Sequence, residues 1–264
     1  MSGQSPGADV GRCWRLLDDL DAPRDATAQM AADVAVLAEV AAGAAPALRL
    51  YRWSRPALSL GRFQPDADVD AGACARRGVE VVRRPTGGRA LLHGADLTYA
   101  VAMSRPAGAA GTVDAVYYRL ATALVAGLAR LGVQAAIGRS RGPSGAACFA
   151  AMQGADLRVG ERKLCGSAQV HRGGAVLQHG SIRLGRLPFD EADLLAFGSD
   201  AARDRARRRL GEVTVTLSEL GAPTVPRVVA SAVVAGFEEH LDLTFASRVM
   251  APCGALPGDR AMRR

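Results

Sequence analysis

Apolar residues in this chain recur at two periods, and the changes between them lay out the elements. Met30, Val34, Leu37 and Ala41 are spaced as one face of a helix, with Asp25 or Thr27 as its cap and Gly43 as its stop. Leu48-Arg-Leu-Tyr-Arg-Trp53 alternates as a strand does, Leu58–Gly61 predicts a second short strand, and a Cys13–Leu17 segment precedes both. Pro65 and the Asp66–Asp70 stretch turn the chain into a helix near Val69–Arg77, which Gly78 ends. Val79–Arg83, Ala90–His93 and Leu97–Ala102 read as strands, the first two joined by the tight connection Arg84-Pro-Thr-Gly-Gly-Arg89. Val116, Leu120, Leu124, Leu128 and Leu131 share a helical face ahead of Gly132. Residues 138–147 predict a loop that leads to Cys148, and strands follow at Ala155–Val159, Lys163–Val170 and Ala175–Leu184. The remainder predicts helices over Asp190–Phe197 and Asp200–Leu210, then a last one with Val229, Val233, Phe237 and Leu241 on one face. An early helix, many strands and late helices predict an α+β fold around a mostly antiparallel or mixed sheet, with no internal repeat.

Composition narrows the class. With 49% hydrophobic and 22% charged residues in a chain of 264, there is material for a core, as in a globular protein rather than a disordered one. Residues 1–12 predict a flexible tail, 13–250 the folded domain and 251–264 a loose C-terminal tail. No apolar run reaches membrane-spanning length, and the N-terminus has no apolar signal region. The five cysteines are scattered, with no Cys-x-x-Cys pair, which argues against a disulfide framework and against a metal site. Free thiols point to a cytoplasmic location. The net charge of +7 predicts acidic partners. Aromatics are 5% and are not interleaved with basic runs, so nucleic acid is not expected as a partner; Arg203–Arg209 reads as a solvated helix face. Neither a phosphate-binding Walker motif nor a Gly-x-Gly-x-x-Gly fingerprint is present.

The candidate chemistry centres on Cys148 to Ser181. Lys163 is the only lysine, since all other residues among the 33 Lys and Arg are arginines. A position that needs only a cation reads Arg in such a chain, so a lone lysine marks a place that uses a titratable amine. A cysteine is a nucleophile only as the thiolate, which a nearby cation favours. Cys148, at the end of a glycine-rich loop, and Cys165, two positions along the same strand as Lys163, both qualify. Arg83-Arg84-Pro-Thr86-Gly87-Gly88-Arg89 presents backbone amides beside two cations, as a cradle for an anion or carbonyl oxygen would, or simply a hairpin turn. Gly166-Ser167-Ala168 is a small-residue stretch where a ligand or another strand comes close. His93 and His179 lack a third partner that would make a metal site.

Together these segments resemble the lipoate–protein ligase and octanoyltransferase superfamily. Arg83-Arg-Pro-Thr-Gly-Gly-Arg-Ala-Leu-Leu-His93 is similar to its Arg-Arg-x-Ser/Thr-Gly-Gly loop. Lys163-Leu-Cys-Gly166-Ser167-Ala168-Gln169 is similar to its Lys-x-x-Gly-Ser-Ala-Gln motif, and Leu177-Gln-His179-Gly-Ser-Ile182 to its third signature. The resemblance implies the biotin/lipoate protein ligase catalytic fold, a mixed β-sheet flanked by helices. Cys148-Phe149 points to the cysteine-dependent octanoyl-[acyl carrier protein]:protein N-octanoyltransferases of Bacillus type. In that branch the equivalent of Cys148 carries the acyl group and the lysine equivalent to Lys163 lowers its pKa, which leaves Cys165 a bystander. The resemblance thereby implies Arg83, Arg84, Thr86, Gly87, Gly88, His93, Gly166, Ser167, Ala168, Gln169 and His179 as substrate-binding residues and residues 13–250 as an acyltransferase domain. Acyl carrier protein is the implied donor, lipoyl domains or the glycine-cleavage H protein the acceptors, and no cofactor is implied. The alternatives are an ATP-dependent lipoate–protein ligase and a lipoyl-protein to lipoyl-protein octanoyl amidotransferase. Two positions depart from the pattern: His171 stands where an arginine is common, and Gly94 where an acidic residue is common.

Overall fold

Two sheets and three long helices enclose the core of the computed structural model, which describes residues 12–138 and 156–249. Residues 1–11, 139–155 (Cys148 among them) and 250–264 lie outside the described residues. The large sheet has the order β11-β1-β2-β6-β10-β9-β8-β7, from β1 (Cys13–Arg24), β2 (Ala47–Trp53), β6 (Asp96–Ser104), β7 (Ala136–Ile137), β8 (Leu157–Val159), β9 (Arg162–Arg172), β10 (Ala175–Arg183) and β11 (Thr244–Val249). It is parallel where β1 joins β2 and β11, and antiparallel elsewhere. The small sheet has the order β4-β3-β5, from β3 (Ala57–Leu60), β4 (Glu80–Arg83) and β5 (Leu91–His93). The expected α+β fold with a mixed, flanked sheet is the one observed.

Strand alternation sorts the large sheet's two faces. Leu48, Leu50, Leu97, Tyr99, Val101, Val176 and Ile182 face one core, shared with α3 (Val113–Ala129) and α5 (Pro226–Leu241). Ala47, Tyr51, Trp53, Ala100, Ala102 and Leu177 face a second core beneath α1 (Ala26–Ala41). The small sheet stands on this second side, where β4 packs on α1.

Asp25, not Thr27, caps α1, its side chain accepting from Ala28 N. The buried stripe of α1 is turned from the one expected: Val34 is exposed, while Gln29 and Asp33 are fully buried. That stripe exists because the sheet beneath supplies Arg49 and His179 as partners, which no periodicity reports. The first strand runs on from Leu17 to Arg24 because β2 pairs along it, and β11 forms by parallel pairing to β1 although its own residues carry little pattern. The helix expected over Asp190–Phe197 is a single turn, Glu191–Asp193, closed by a capping box between Asp190 and Asp193. α4 (Asp200–Val213) buries only Leu210, as a solvated helix does.

Candidate active site

A pocket opens between the α1 side of the large sheet and the small sheet. The large sheet contributes Tyr51 and Trp53 from β2, Thr98 from β6, His179 and Gly180 from β10, and Lys163 with Gly166–Ala168 from β9. The small sheet and its glycine loop contribute Ser59, Arg84, Gly88, Leu91 and His93, and α1 contributes Met30.

Lys163 reaches this pocket because β9 breaks alternation after it. Leu164 and Cys165 both enter the α3–α5 core, where the ladder from β8 also slips register, so Lys163 and Cys165 do not share a face. Lys163 Nζ lies 2.7 Å from Asp156 Oδ2, with both side chains buried. Asp156 Oδ1 accepts from Ser167 N at 3.2 Å, tying the lysine's partner to the small-residue stretch. Burial, with the nearby Asp156 charge, pushes the Cys165 thiol up to about 12. A thiol so placed is not a nucleophile near neutrality.

The glycine loop is held by its own arginines. Arg84 donates to Ser59 O at 2.8 Å, Gly87 O at 2.8 Å and Arg89 O at 2.7 Å. Arg83 turns away from the pocket and donates to Gly61 O at 2.8 Å and Gln64 O at 2.7 Å, and pairs with Asp66. The loop seats against Gly61, where a Cβ would stand 1.8 Å from Gly88 O. Gly88 itself has φ +90°, a conformation that favours glycine.

Both histidines are doubly held. His179 Nε2 lies 2.7 Å from Thr86 Oγ1 and its Nδ1 2.9 Å from Asp33 Oδ2, and Asp33 Oδ1 accepts from Arg49 at 2.7 Å. Burial pushes the Asp33 carboxyl up, but His179 and Arg49 outweigh it and hold its pKa below the ordinary value. His93 Nδ1 lies 2.8 Å from Asp96 Oδ2 and its Nε2 2.9 Å from Ser59 Oγ. Gly94, at φ +132°, donates its N–H to Asp96 Oδ1 at 2.8 Å, so the position that departs from the family pattern serves the His93 partner.

Of the residues singled out from the sequence, Lys163, Arg84, Gly88, His93, Gly166, Ser167, Ala168 and His179 line the pocket. Thr86 reaches it only through His179, and Gln169 bonds Gln178 and His171. Asp156, Asp33, Asp96 and Ser59 were not anticipated; the one signal for them is an acidic or hydroxyl side chain inside an otherwise apolar element. Among the described residues no group of His, Cys, Asp and Glu could hold a metal ion.

The family model described as lipoyl protein ligase A/B catalytic domain matches residues 25–238. The chain belongs to that family. An octanoyltransferase LipM of Kyrpidia tusciae is 42% identical over 240 residues, covering 86% of this chain and 87% of that protein. The LipM octanoyltransferase of Moorella thermoacetica is 41% identical over 256 residues, covering 94% and 91%. Among solved structures, a bipartite lipoate protein ligase of Thermoplasma acidophilum, studied with its E2 lipoyl domain, superposes with a TM-score of 0.75 at 25% identity, covering 91% of this chain and 87% of that one. Within the lipoyl protein ligase family the chain therefore groups with the octanoyltransferases of lipoate biosynthesis. Among the described residues no helix is long and apolar enough to cross a membrane.

Proposed function

We propose that this chain moves an octanoyl group from the phosphopantetheine thioester of acyl carrier protein to a lysine of a lipoyl domain or of the glycine-cleavage H protein, through a thioester on Cys148. The observation that carries the reading is the chain's single lysine, paired with a buried carboxylate in the wall of a pocket that the family's glycine loop closes. Cys148 lies outside the described residues, and its role rests on the Cys-Phe pair and on the relatives' octanoyltransferase names.

In the first half-reaction the Cys148 thiolate, supported by the Lys163 ammonium, adds to the donor's thioester carbonyl. The carbon–sulfur bond to pantetheine breaks, and the departing sulfur takes up a proton. In the second, the acceptor's ε-amine adds to the new thioester, Cys148 leaves as the thiolate, and the nitrogen loses a proton to give an amide. The backbone amide of Gly88 is the proposed donor to the acyl oxygen as it becomes anionic. A thioester is more reactive than an amide, so the transfer runs downhill without a nucleotide. The Thermoplasma relative's lipoyl domain supports the class of acceptor, and the charge of +7 suits acidic carriers and makes their binding salt-sensitive. The reaction belongs to the cytosol, where Cys148 stays reduced.

Intact mass spectrometry after mixing the protein with octanoyl-acyl carrier protein, without ATP, tests the reading. The expected result is a gain of one octanoyl group that is lost in Cys148→Ala and kept in Cys165→Ala. No adduct, with lipoyl-domain modification only after ATP and free octanoate are added, would replace the transferase by a ligase.

A further inference from the structure

A hydroxyl and an imidazole of the pocket wall and a carboxylate behind them stand in one line: Ser59, His93 and Asp96, with gaps of 2.9 and 2.8 Å. All three side chains are buried, and Ser59 and His93 line the same pocket as Lys163. The neighbours decide where the protons sit. Asp96 Oδ2 accepts from Thr98 Oγ1 at 2.9 Å and from Ser181 Oγ at 2.7 Å, and a carboxylate only accepts, so His93 Nδ1 carries the hydrogen towards it. With that hydrogen on Nδ1, an unprotonated Nε2 turns its lone pair to Ser59. Arg84 Nη1 donates to Ser59 Oγ at 3.3 Å, which leaves the hydroxyl proton for His93. Trp53 stacks on the imidazole with ring centres 4.2 Å apart, and donates from Nε1 to Thr98 Oγ1 at 2.8 Å, which fixes the plane of the ring.

We propose that Ser59, His93 and Asp96 form the proton acceptor for the lysine that receives the acyl group, an inference that rests on the transfer reading above. When the acceptor nitrogen bonds to the acyl carbon it holds one proton too many. Ser59 Oγ takes that proton and passes its own to His93 Nε2, and Asp96 stabilises the imidazolium. Cys148 leaves as the thiolate that the next cycle needs, and the imidazolium releases its proton to water.

Lys163 is poorly placed for this task, because in its ion pair with Asp156 it is a donor. The parallel line Thr86–His179–Asp33 has the same groups, but Thr86 does not line the pocket and Asp33 is already balanced by Arg49. That line serves to pin the glycine loop. The ionisable groups around His93 are Asp96 from β6 and Arg84 from the loop, with Tyr51, Arg89, Lys163, Asp156 and His179 on the other walls of the pocket.

The test separates the two half-reactions. Octanoyl-enzyme is formed, weighed intact and mixed with lipoyl domain across a range of pH. Ser59→Ala and His93→Gln are expected to slow delivery to the lysine by about a hundredfold or more, far beyond any effect on octanoyl uptake, and to flatten the acid limb of the delivery profile. Hydroxylamine, whose adduct nitrogen is acidified by the adjacent oxygen and loses its extra proton directly to water, is expected to take octanoyl from both variants at close to the wild-type rate. Delivery by Ser59→Ala at the wild-type rate with the wild-type profile overturns the proposal. Loss of the hydroxylamine reaction along with delivery also overturns it, since the groups then only shape the pocket. An unmodified wild-type mass instead marks failure of the transfer reading itself. The same variants are then assayed for amide formation from ATP and octanoate, where a wild-type rate in Ser59→Ala again overturns the relay and a loss rescued by hydroxylamine supports it.

Discussion

Asp156 and Lys163, seven positions apart at the two ends of the β8–β9 turn, meet as a 2.7 Å ion pair inside the pocket wall. Removing one partner of a buried pair strands the other charge in a poorly solvated place, whereas replacing both with apolar groups need not. Asp156→Asn is therefore expected to lower stability by about 3–5 kcal/mol in urea unfolding. The double variant Asp156→Leu, Lys163→Met is expected to regain most of that stability and to show no octanoyl uptake.

Cys13 is exposed, while Cys74 and Cys165 are buried. Burial raises the Cys74 thiol, and it pushes the Cys165 thiol up to about 12. Iodoacetamide at pH about 8 is expected to label Cys13 in the native protein and to reach Cys74 and Cys165 only after denaturation, as peptide mapping would show. Native labelling of Cys165 would contradict its place in the core.

Gly61 lets the Gly87–Gly88 turn close over the pocket, for a Cβ there would stand 1.8 Å from Gly88 O. Backbone cannot rotate aside as a side chain can, so Gly61→Ala has to move the loop. The expected cost is about 1–3 kcal/mol in thermal or urea unfolding, with a fall of at least about tenfold in octanoyl uptake. Gly78→Ala is the control for backbone conformation, since Gly78 has φ +64° with open space around it and lies outside the pocket. It is expected to lose stability through that strained backbone while keeping activity.

Stability is expected to fall away on both sides of a neutral plateau. Asp33 and Asp96 are pushed up by burial and pulled down further by their histidine, arginine and backbone partners, so their folded pKa values lie below the unfolded ones. Their contribution is present above the unfolded carboxylate value and is lost as pH falls through the folded values. Cys165, Tyr51 and Tyr99 are raised by burial, so their contribution is full below the unfolded values and is lost as pH rises towards the folded ones. Cys165 alone accounts for on the order of 4 kcal/mol between its ordinary value and about 12. The urea midpoint measured against pH is expected to be flat from about 5 to 8.5, and a plateau that continued above pH 10 would remove these groups from the core.

Much of this protein could be read from its residues in order. The alternation in β2 and β6, the helical stripe of α3, the glycine loop, and a lone lysine beside the small-residue stretch are all local patterns, because a strand or helix repeats its face every two or three to four residues. Only the tertiary structure could show that Asp33 meets His179 across 146 positions, that Asp96 and Ser59 hold His93 between them, that Arg83 and Arg84 brace a loop, and that Cys165 turns from Lys163 into the core. A buried polar group is placed by whichever partner can satisfy it, and that partner arrives from a distant strand when the sheet closes. Order along the chain determined most of the elements and the family, and the packing of the two sheets decided the rest, together with which polar side chains face one another across the pocket.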